Sequence, residues 1–403
     1  MLKGVLEVAV VVTSIMAVER GIPPFFKALV QLLTLVNLGL VAAISQAGVL
    51  PTDSVDMLYH SYDGGGMKIN GPFVLVRKSI GNQVSVNGHY YVDSVSAASI
   101  DVIASASKYT EKRTELSGGI DYLHDSTIIS AGYTNSKEND FLANTVFLAV
   151  NQDFFGDLST LSMSYTSGWD EVSKVQSEFK RKVKRQNFKV GLSQVITKNT
   201  LMGLDVETIT DQGFLNNPYR RYRFFDSTAS AGFSYADEVY PKTHTSTAVA
   251  FRTLYYLPYR ASIKGEYRYF TDSWGINANT FELLYVHPIG KQWTLEGKLR
   301  YYKQSKADFY QDIFSHQGAQ TYLGRDKELS SYSDTTIGAG VTYELGRGFI
   351  SHIDKMKFTL LADYLQFKYD NFRDVTQKGF AAGNEPLFKF NAWVTRASII
   401  LEY

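Results

Sequence analysis

Charged side chains recur at every second position in several stretches of this sequence, and that spacing defines what they can do. Lys264, Glu266 and Arg268 alternate with Ile263 and Tyr267. Residues two apart on a β-strand share one face. A face with both signs of charge can line a hydrated passage whose transverse field selects polar or charged solutes. It can equally form a salt-bridge network that fills and braces the interior, and the sequence leaves both interpretations open.

The same phase extends to other stretches, and it predicts a set of charged side chains on the inner face of a barrel. We name this the inner charged set. It consists of Arg113, Glu115, Asp121, Asp205, Glu207, Arg252, Lys264, Glu266, Arg268, Glu282, Glu296, Lys298, Arg300 and Glu344.

A segment rich in small residues, 94–111, is unusual for an exposed loop because it keeps apolar residues. We expect it to fold back into the barrel as a constriction or plug, and a lid over the outer mouth is the alternative. The residues predicted to form the constriction are Asp93, Ser96, Ser99, Ile100, Asp101 and Ile103.

Metal-ligating side chains give a weak signal. Asp308, Asp312 and His316 are spaced four apart, so they would share one face of a helix. Carboxylate and imidazole together bind divalent metals, but a solvated helical face is the favoured interpretation. We therefore predict no metal and no cofactor. Acids of the outer loops are expected to bridge lipopolysaccharide phosphates through cations; they are Glu138, Asp140, Asp170, Asp211, Asp272 and Asp326.

Only one weak motif in the sequence could indicate catalysis. Asn87, Gly88 and His89 are similar to the Asn and His of outer-membrane phospholipases. A nucleophile needs a base within hydrogen-bond reach, and a lipid-hydrolysing site should face the bilayer. His89 is predicted to face inward beside Tyr91 and Asp93, so we expect no enzyme.

The elements that must position these residues are strands. From about Val55 onward, period-two alternation recurs over about ten residues, the length that a tilted strand needs to cross a bilayer. Short breaks are predicted at Gly81-Asn82, His124-Asp125, Phe155-Gly156, Lys198-Asn199, Leu257-Pro258 and Ile289-Gly290. Longer polar connections are predicted over 94–111, 169–182, 210–242, 303–329 and 371–387, in strict alternation with the short ones.

This pattern predicts an all-β fold, a transmembrane up-and-down antiparallel β-barrel of about sixteen strands, with fourteen to eighteen as the range. The long outer loops would partly plug the lumen. Val55 to Tyr62 would be the first strand and Leu387 to Tyr403 the last. An even count places both termini in the periplasm.

Composition agrees with one lipid-facing and one hydrated face. The chain of 403 residues holds 27 Tyr, 25 Phe and 31 Gly against 9 Pro, and it has no Cys. A net charge of +1 argues against nucleic acid as a partner. A soluble β-sandwich is the competing class, but the strand spacing suits it poorly.

The N-terminal part is predicted to be a targeting segment. Lys27 precedes an apolar run that ends in the small residues before Ala47, the arrangement of a secretory signal peptide. We expect a targeting segment over 1–47 and the barrel over 48–403. A second apolar run near the start suggests an over-long start, with Met16 as the true one; an inner-membrane helical hairpin is the alternative.

The C-terminal strand carries an alternating apolar pattern that closes on Tyr403. It resembles the signal that the barrel-assembly machinery reads during insertion. The sequence therefore predicts the outer membrane of a Gram-negative bacterium.

Several segments resemble the bacterial outer-membrane barrel family catalogued as domain of unknown function 3570. They are Gly71-Pro72 with Val76-Arg77-Lys78, Asp93-Ser94-Val95-Ser96 with Ala98-Ser99-Ile100-Asp101, Tyr109-Thr110-Glu111-Lys112-Arg113, Asn217-Pro218-Tyr219-Arg220, Tyr267-Arg268-Tyr269-Phe270 with Asp272-Ser273-Trp274, Gln304-Ser305 with Ala307-Asp308-Phe309-Tyr310, and Arg325-Asp326-Lys327-Glu328-Leu329-Ser330. The resemblance spans most of the mature chain. It implies an outer-membrane location and no settled activity.

The functional expectation is a channel or partner-gated conduit for a polar or charged solute. A non-conducting barrel that scaffolds a periplasmic or surface partner is the main alternative, and an outer-membrane lipid hydrolase is a weaker one. The expected partners are outer-membrane lipid with lipopolysaccharide, the barrel-assembly machinery through the last strand, and a periplasmic partner.

Overall fold

A computed structural model describes residues 48–97, 109–346 and 350–403 of the chain. The predicted targeting segment 1–47 lies outside the described residues. So do Ser99, Ile100, Asp101 and Ile103 of the predicted constriction.

Eighteen strands follow one another along the described chain, with one short 3-10 helix at Lys327–Leu329. The strands are β1 Ser54–Gly64, β2 Met67–Ile80, β3 Val84–Ala97, β4 Tyr109–His124, β5 Thr127–Lys137, β6 Phe141–Phe154, β7 Ser159–Ser173, β8 Lys180–Thr197, β9 Thr200–Gly213, β10 Arg221–Phe225, β11 Phe233–Asp237, β12 Thr243–Tyr256, β13 Ser262–Asp272, β14 Asn277–Ile289, β15 Trp293–Gln304, β16 Tyr332–Leu345, β17 Lys355–Arg373 and β18 Leu387–Glu402.

Sixteen of these strands form one closed antiparallel barrel, which confirms the predicted fold class and strand number. β10 and β11 pair only with each other, as a hairpin inside the connection from β9 to β12. The barrel closes where β1 pairs with β18, from Ser54 opposite Glu402 to Gly64 opposite Ala392. Closure leaves no unpaired sheet edge, which a strand inside lipid could not tolerate because no water is there to satisfy its backbone.

The two ends of the barrel differ in their connections. At the end where β1 begins and β18 ends, named the turn end, short connections join β4 to β5 and β8 to β9. At the opposite loop end lie the long connections 214–242, 305–331 and 374–386. The predicted strict alternation of short and long connections is wrong, because 65–66, 138–140 and 273–276 at the loop end are also tight.

Two of the predicted long connections, 94–111 and 169–182, overlap strands at both of their ends. Of segment 169–182, only residues 174–179 lie between β7 and β8. Asp93 and Ser96 belong to β3 and form part of the barrel wall, not a loop that folds back. The strands extend beyond the expected bilayer thickness, and polar residues near their ends therefore looked like loop in the sequence.

Tight turns at the turn end use left-handed backbone conformations. Gly81 and Gly290 have φ of 66° and 63°, and Asp125 has φ of 51°. Hairpin connections of two or three residues use positive φ, which glycine adopts freely and Asp tolerates.

The outer face of the barrel is apolar. Leu116, Leu148, Leu283 and Ile337 all have large exposed side chains and alternate along their strands with buried or half-buried ones. Such a face suits lipid, because exposed apolar area of this extent is unfavourable in water. Among the described residues, no helix has both the length and the apolar character that a membrane span requires.

Candidate functional site: the barrel interior

β13 shows how the strand period builds the interior. The side chains of Lys264, Glu266 and Arg268 are only 17%, 26% and 26% exposed. Tyr267 and Tyr269, which lie between and beside them, are among the exposed aromatic residues. Successive side chains of a strand point to opposite faces, so the charged residues lie inside the barrel and the tyrosines outside.

All members of the inner charged set are buried or half-buried in the structure. Arg113, Glu115, Asp121, Asp205 and Glu207 are buried. The half-buried members are Arg252, Lys264, Glu266, Arg268, Glu282, Glu296, Lys298, Arg300 and Glu344. The burial of these side chains differs around the barrel. Two parts of the interior wall can therefore be distinguished, one mostly half-buried and one fully buried.

The first wall is polar, and all of its side chains except the buried Asp205 and Glu207 are half-buried. We name polar wall the interior residues of β8, β9 and β12–β14, which are Lys189, Asp205, Glu207, Arg252, Lys264, Glu266, Arg268 and Glu282. Asp205 accepts from Arg252 and lies 3.6 Å from Nζ of Lys189. Arg268 lies 3.4 Å from Glu207. Cations and anions therefore alternate across this wall.

Glu266 and Glu282 are direct cross-strand partners on β13 and β14. Like charges at directly opposite positions destabilise a sheet. Glu266 lies 3.7 Å from Nζ of Lys264, whereas no salt bridge of Glu282 is seen within the described residues. Arg252 on β12 and Arg300 on β15 are the register partners of Glu266 and Glu282 on their other sides, so two carboxylates stand between two guanidinium-bearing positions.

The second wall, on β1, β3 and β4, is fully buried. Nε2 of His60 lies 2.7 Å from Oδ1 of Asp93, and Arg113 lies 2.9 Å from Oδ2 of the same carboxylate. The Tyr91 ring stacks on His60 with centroids 5.3 Å apart, and the Arg113 guanidinium lies over the Tyr91 ring, 4.8 Å from its centroid. His60 and Asp93 have no exposed surface, so this cluster braces the wall and does not meet a substrate.

His89, the residue of the faint phospholipase motif, belongs to the same wall. It is buried, and its Nε2 lies 3.1 Å from Glu115. The ring points to the interior, away from lipid, as the strand phase predicted. A base for lipid hydrolysis would have to reach the opposite face of β3.

A third group joins β15, β17 and β18 across β16. Asp363 lies 2.8 Å from Nζ of Lys298 and 2.7 Å from Arg396. Gly338 stands between Lys298 and Asp363 in the strand register. A Cβ at Gly338 would lie 2.0 Å from Oδ1 of Asp363, so only glycine leaves room for this bridge.

The interior at the loop end is closed by apolar side chains. We name this cluster the mouth core. It draws Tyr62, Ile69, Val95, Phe141, Val172, Val183, Leu365 and Val394 from the strands and Leu215, Tyr240, Trp274, Phe309, Tyr310 and Leu329 from the connections. Trp274 packs edge-on against Phe309 at 5.2 Å. The loops are therefore held to the wall by hydrophobic burial.

Above the mouth core, three long connections are tied by ion pairs into what we name the cap, residues 214–242, 305–331 and 374–386. Arg223 is fully buried and lies 2.5 Å from Glu385 and 2.9 Å from Asp312. Arg325 lies 3.1 Å from Asp312. Burial acts to raise the pKa of Glu385, but the hydrogen bond and the charge of Arg223, together with backbone hydrogen bonds to the carboxylate, outweigh it and hold that pKa below its usual range. The cap therefore contains a charged lock that joins three loops.

Asp308, Asp312 and His316, the weak metal candidates of the sequence, do not share a helical face, because the stretch that holds them is not helical. Asp312 is engaged by Arg223 and Arg325, whereas His316 is exposed and contacts Ser315. Among the described residues, three buried carboxylates do converge, with oxygens within 4.8 Å of one another: Glu111, Glu138 and Asp140.

The sequence suggested that the outer-loop acids are exposed and bridge lipid phosphates through cations. In the structure these acids are buried or half-buried. Asp170 is buried and lies 2.6 Å from Nε of Arg185. Asp211 and Asp272 flank the buried ring of His244 at 3.6 and 2.9 Å. Asp326, Glu138 and Asp140 are buried as well. These carboxylates face inward, so they do not meet lipid headgroups.

Several interior residues were missed by sequence analysis. His60, Arg77, Lys189, Asp334, Asp363 and Arg396 all have buried or half-buried side chains in ion pairs. The signal was present, because each alternates with an outward residue in its strand. It was overlooked where a single charge stands in an otherwise apolar stretch, as Asp363 does.

Fold and interior together define the class of this protein: a closed, antiparallel, sixteen-stranded β-barrel of the transmembrane type, with a lipid-facing exterior and a charged interior. The chain belongs to the family described as Protein of unknown function (DUF3570), whose sequence profile matches residues 103–385. This confirms the resemblance found in the sequence.

The chain is similar to several solved structures, among them a bacterial polysaccharide outer membrane secretin, 8% identical, with a TM-score of 0.47 over 89% of this chain and 100% of that chain. A FadL homologue from Pseudomonas aeruginosa is 11% identical, with a TM-score of 0.40 over 90% and 94%. OmpT of Vibrio cholerae is 10% identical, with a TM-score of 0.39 over 88% and 100%. No curated protein sequence matches the chain.

Proposed function

We propose that this protein is a gated conduit of the outer membrane for a small polar or charged solute. The observation that carries the proposal is the polar wall, where charges of both signs remain half-buried on the interior of a sixteen-stranded barrel. Barrels of this strand number are wide enough to enclose an aqueous channel. Rings of charge inside such a space set which solutes pass.

The solute selectivity would come from the field across the interior. Glu266 and Glu282 face each other on adjacent strands, and Arg300 on the next strand is the register partner of Glu282. A negative pair beside a positive residue favours solutes that carry both a cationic and an anionic or strongly polar group. The proposal therefore names a small polar solute with separated charge.

The gate would be the cap together with the mouth core. The lock around Arg223 holds the three cap connections together, and Phe309 and Tyr310 anchor one of them to the wall. A conduit with this closure opens only when a ligand or a partner favours the displaced cap, since a ligand shifts an equilibrium only by its differential affinity for the two states. We place the turn end, with both termini, in the periplasm.

The second candidate is a non-conducting scaffold, and the mouth core favours it. An apolar cluster that spans the loop end resembles a permanent closure more than a mobile lid. In that case the polar wall would serve as a brace, and the surface of the cap would meet a partner.

Planar-bilayer conductance separates the two candidates. The wild type is compared with the variant Arg223→Gln/Arg325→Gln and with a variant in which a Gly-Ser linker replaces residues 306–329. Heat-modifiable migration on gels verifies that each barrel is folded. We expect small or rare current steps from the wild type and larger, frequent steps from both variants. Silence of all three folded barrels would overturn the conduit and favour the scaffold.

A further inference from the structure

Lysines on the lipid-facing side of the barrel collect at the loop end. In each strand that contributes, an exposed lysine shares the face of the exposed apolar residues and alternates with buried ones. The outward lysines are Lys68, Lys112, Lys137, Lys182, Lys184, Lys303, Lys368 and Lys389. Charges are costly within the hydrocarbon region. The concentration of these lysines at one end therefore indicates that anionic groups of the membrane surround the barrel there.

Three of these lysines form a cluster across β15–β18. Lys368 and Lys389 are direct cross-strand partners on β17 and β18. Lys303 lies in the same row, separated from Lys368 only by Ser333 of β16. Like charges placed directly opposite each other destabilise a sheet. The arrangement is favourable only when an anion neutralises it.

Among the described residues, no acid forms a salt bridge with this lysine cluster. Asp370 is exposed two residues beyond Lys368 on the same face, yet none of the salt bridges seen in the described part of the chain involves Lys303, Lys368 or Lys389. This differs from Lys68, which lies 2.9 Å from Asp63. The cluster therefore presents uncompensated positive charge on the side of the barrel that meets the membrane.

The depth of the cluster follows from the aromatic residues below it. Tyr364 and Trp393 are cross-strand partners four residues nearer the middle of β17 and β18, and their rings lie 5.0 Å apart. Trp393 is 54% exposed. Exposed aromatic rings on a transmembrane barrel mark the level of the lipid headgroups. Lysines just beyond them reach the headgroup phosphates with their flexible stems.

The opposite end of the same strands is different. There the outward residues include Tyr343, Phe358 and Ile399. The outward Lys78 at that end is held 2.6 Å from Asp53. The asymmetry favours a lipid that occurs in one leaflet and carries more phosphate than an ordinary phospholipid.

We propose that Lys303, Lys368 and Lys389 form a binding site for the phosphate groups of lipopolysaccharide in the outer leaflet. The inference rests on the orientation proposed above, with the loop end outward, and it does not depend on whether the barrel conducts. A silent barrel would leave it intact, and a conducting barrel that fails the test below would still be a conduit.

The test uses the full chain, folded in detergent, and measures binding of purified lipopolysaccharide by the shift of the unfolding midpoint during titration. The variant is Lys368→Gln/Lys389→Gln. The matched control is Lys198→Gln/Lys291→Gln, which removes two exposed lysines of the turn end. Heat-modifiable migration shows that each protein is folded before binding is measured.

We expect the cluster variant to bind lipopolysaccharide about thirtyfold more weakly, which is about 2 kcal/mol at 1.4 kcal/mol per tenfold. Each of the two lysines near an anionic membrane surface contributes a similar factor to the affinity, about five- to sixfold. The control should bind like the wild type. Dephosphorylated lipopolysaccharide should bind the wild type as weakly as intact lipopolysaccharide binds the cluster variant.

Three outcomes would overturn the proposal. They are equal binding by the cluster variant and the wild type, an equal loss in the turn-end control, and an equal stabilisation of the wild type by phosphatidylglycerol vesicles or by inorganic phosphate. The last would show that any anion suffices and that the lipid of the outer leaflet is not selected.

Discussion

The guanidinium of Arg223 on the β10–β11 hairpin lies 2.5 Å from the carboxylate of Glu385 in the connection before β18, although 162 residues separate them in the chain. Arg223 also reaches Asp312, 2.9 Å away in a third connection. One buried cation thus joins three loops that the strands bring to the same end of the barrel. The lock is the feature that most directly decides whether the cap is fixed or mobile.

Removal of the lock should loosen the cap and leave the barrel intact. Arg223→Gln leaves the buried carboxylate of Glu385 without its cation and takes one of two arginines from Asp312, and breaking one partner of a buried pair costs about 3–5 kcal/mol. We expect faster proteolysis within 214–242 and 305–331. The control is Arg221→Gln, on the same hairpin, whose side chain is 44% exposed and 3.8 Å from Asp237. Similar proteolysis of both variants would show that Arg223 holds nothing together.

The lock should also respond to acid. Burial acts to raise the pKa of Glu385, but the hydrogen bond and charge of Arg223 and the backbone hydrogen bonds together prevail and leave the pKa below its usual value of 4.5. The folded pKa is depressed, so the stabilising contribution is present above about pH 4.5 and is lost as the pH falls through the folded pKa. Proteolysis of the cap should therefore accelerate below about pH 4.5 in the wild type. In Glu385→Gln it should be fast already at pH 7 and change less with acid.

Assembly should distinguish the two faces of β15. Leu295→Arg places a charge on the lipid-facing side, which costs roughly 2–4 kcal/mol near the middle of the bilayer. We expect it to abolish the heat-modifiable form in the outer membrane. Glu296→Gln, on the next residue and the opposite face, should assemble normally. Equal behaviour of the two variants would contradict the assignment of faces.

Gly338 should be needed for the Lys298–Asp363 bridge. A Cβ there would lie 2.0 Å from the Asp363 carboxylate, so Gly338→Ala should displace it and lower the unfolding temperature, since hydrogen bonds to charged groups contribute about 1.5–3 kcal/mol. Gly297→Ala on β15 is the control, because nothing lies within 4 Å of its Cβ position. It should leave stability unchanged or raise it slightly. A tolerated Gly338→Ala would show that the bridge relaxes freely.

The inner charges should set ion preference once the barrel is open. In the background of the linker variant that replaces 306–329, Arg268→Gln/Arg300→Gln removes positive charge from an interior that already holds the Glu266–Glu282 pair. We expect reversal potentials under a salt gradient to shift toward cation selectivity. Glu266→Gln/Glu282→Gln should shift them the opposite way. Unchanged potentials in both variants would place the charges outside the conduction path.

The sequence by itself determined the barrel, a strand number of about sixteen and the inward face of several strands. Lys264, Glu266 and Arg268 could be placed inside because a strand in a membrane barrel has one lipid face and one interior face, and the two-residue period reports that division locally. The family resemblance was visible for the same reason, because its segments are local. The limits of the strands were less certain, since polar residues beyond the bilayer, as in 169–182, look like loop.

Only the tertiary structure decided how those residues are used. Nothing in the period indicates that Arg223 pairs with Glu385, that Asp312 serves two arginines instead of a metal, or that Gly338 leaves space for its neighbours. Pairs of this kind depend on which strands become neighbours and how the connections fold over the mouth. The outward lysines show the same principle: each is an ordinary exposed residue in the sequence, and they become one cluster only because the register places Lys368 opposite Lys389.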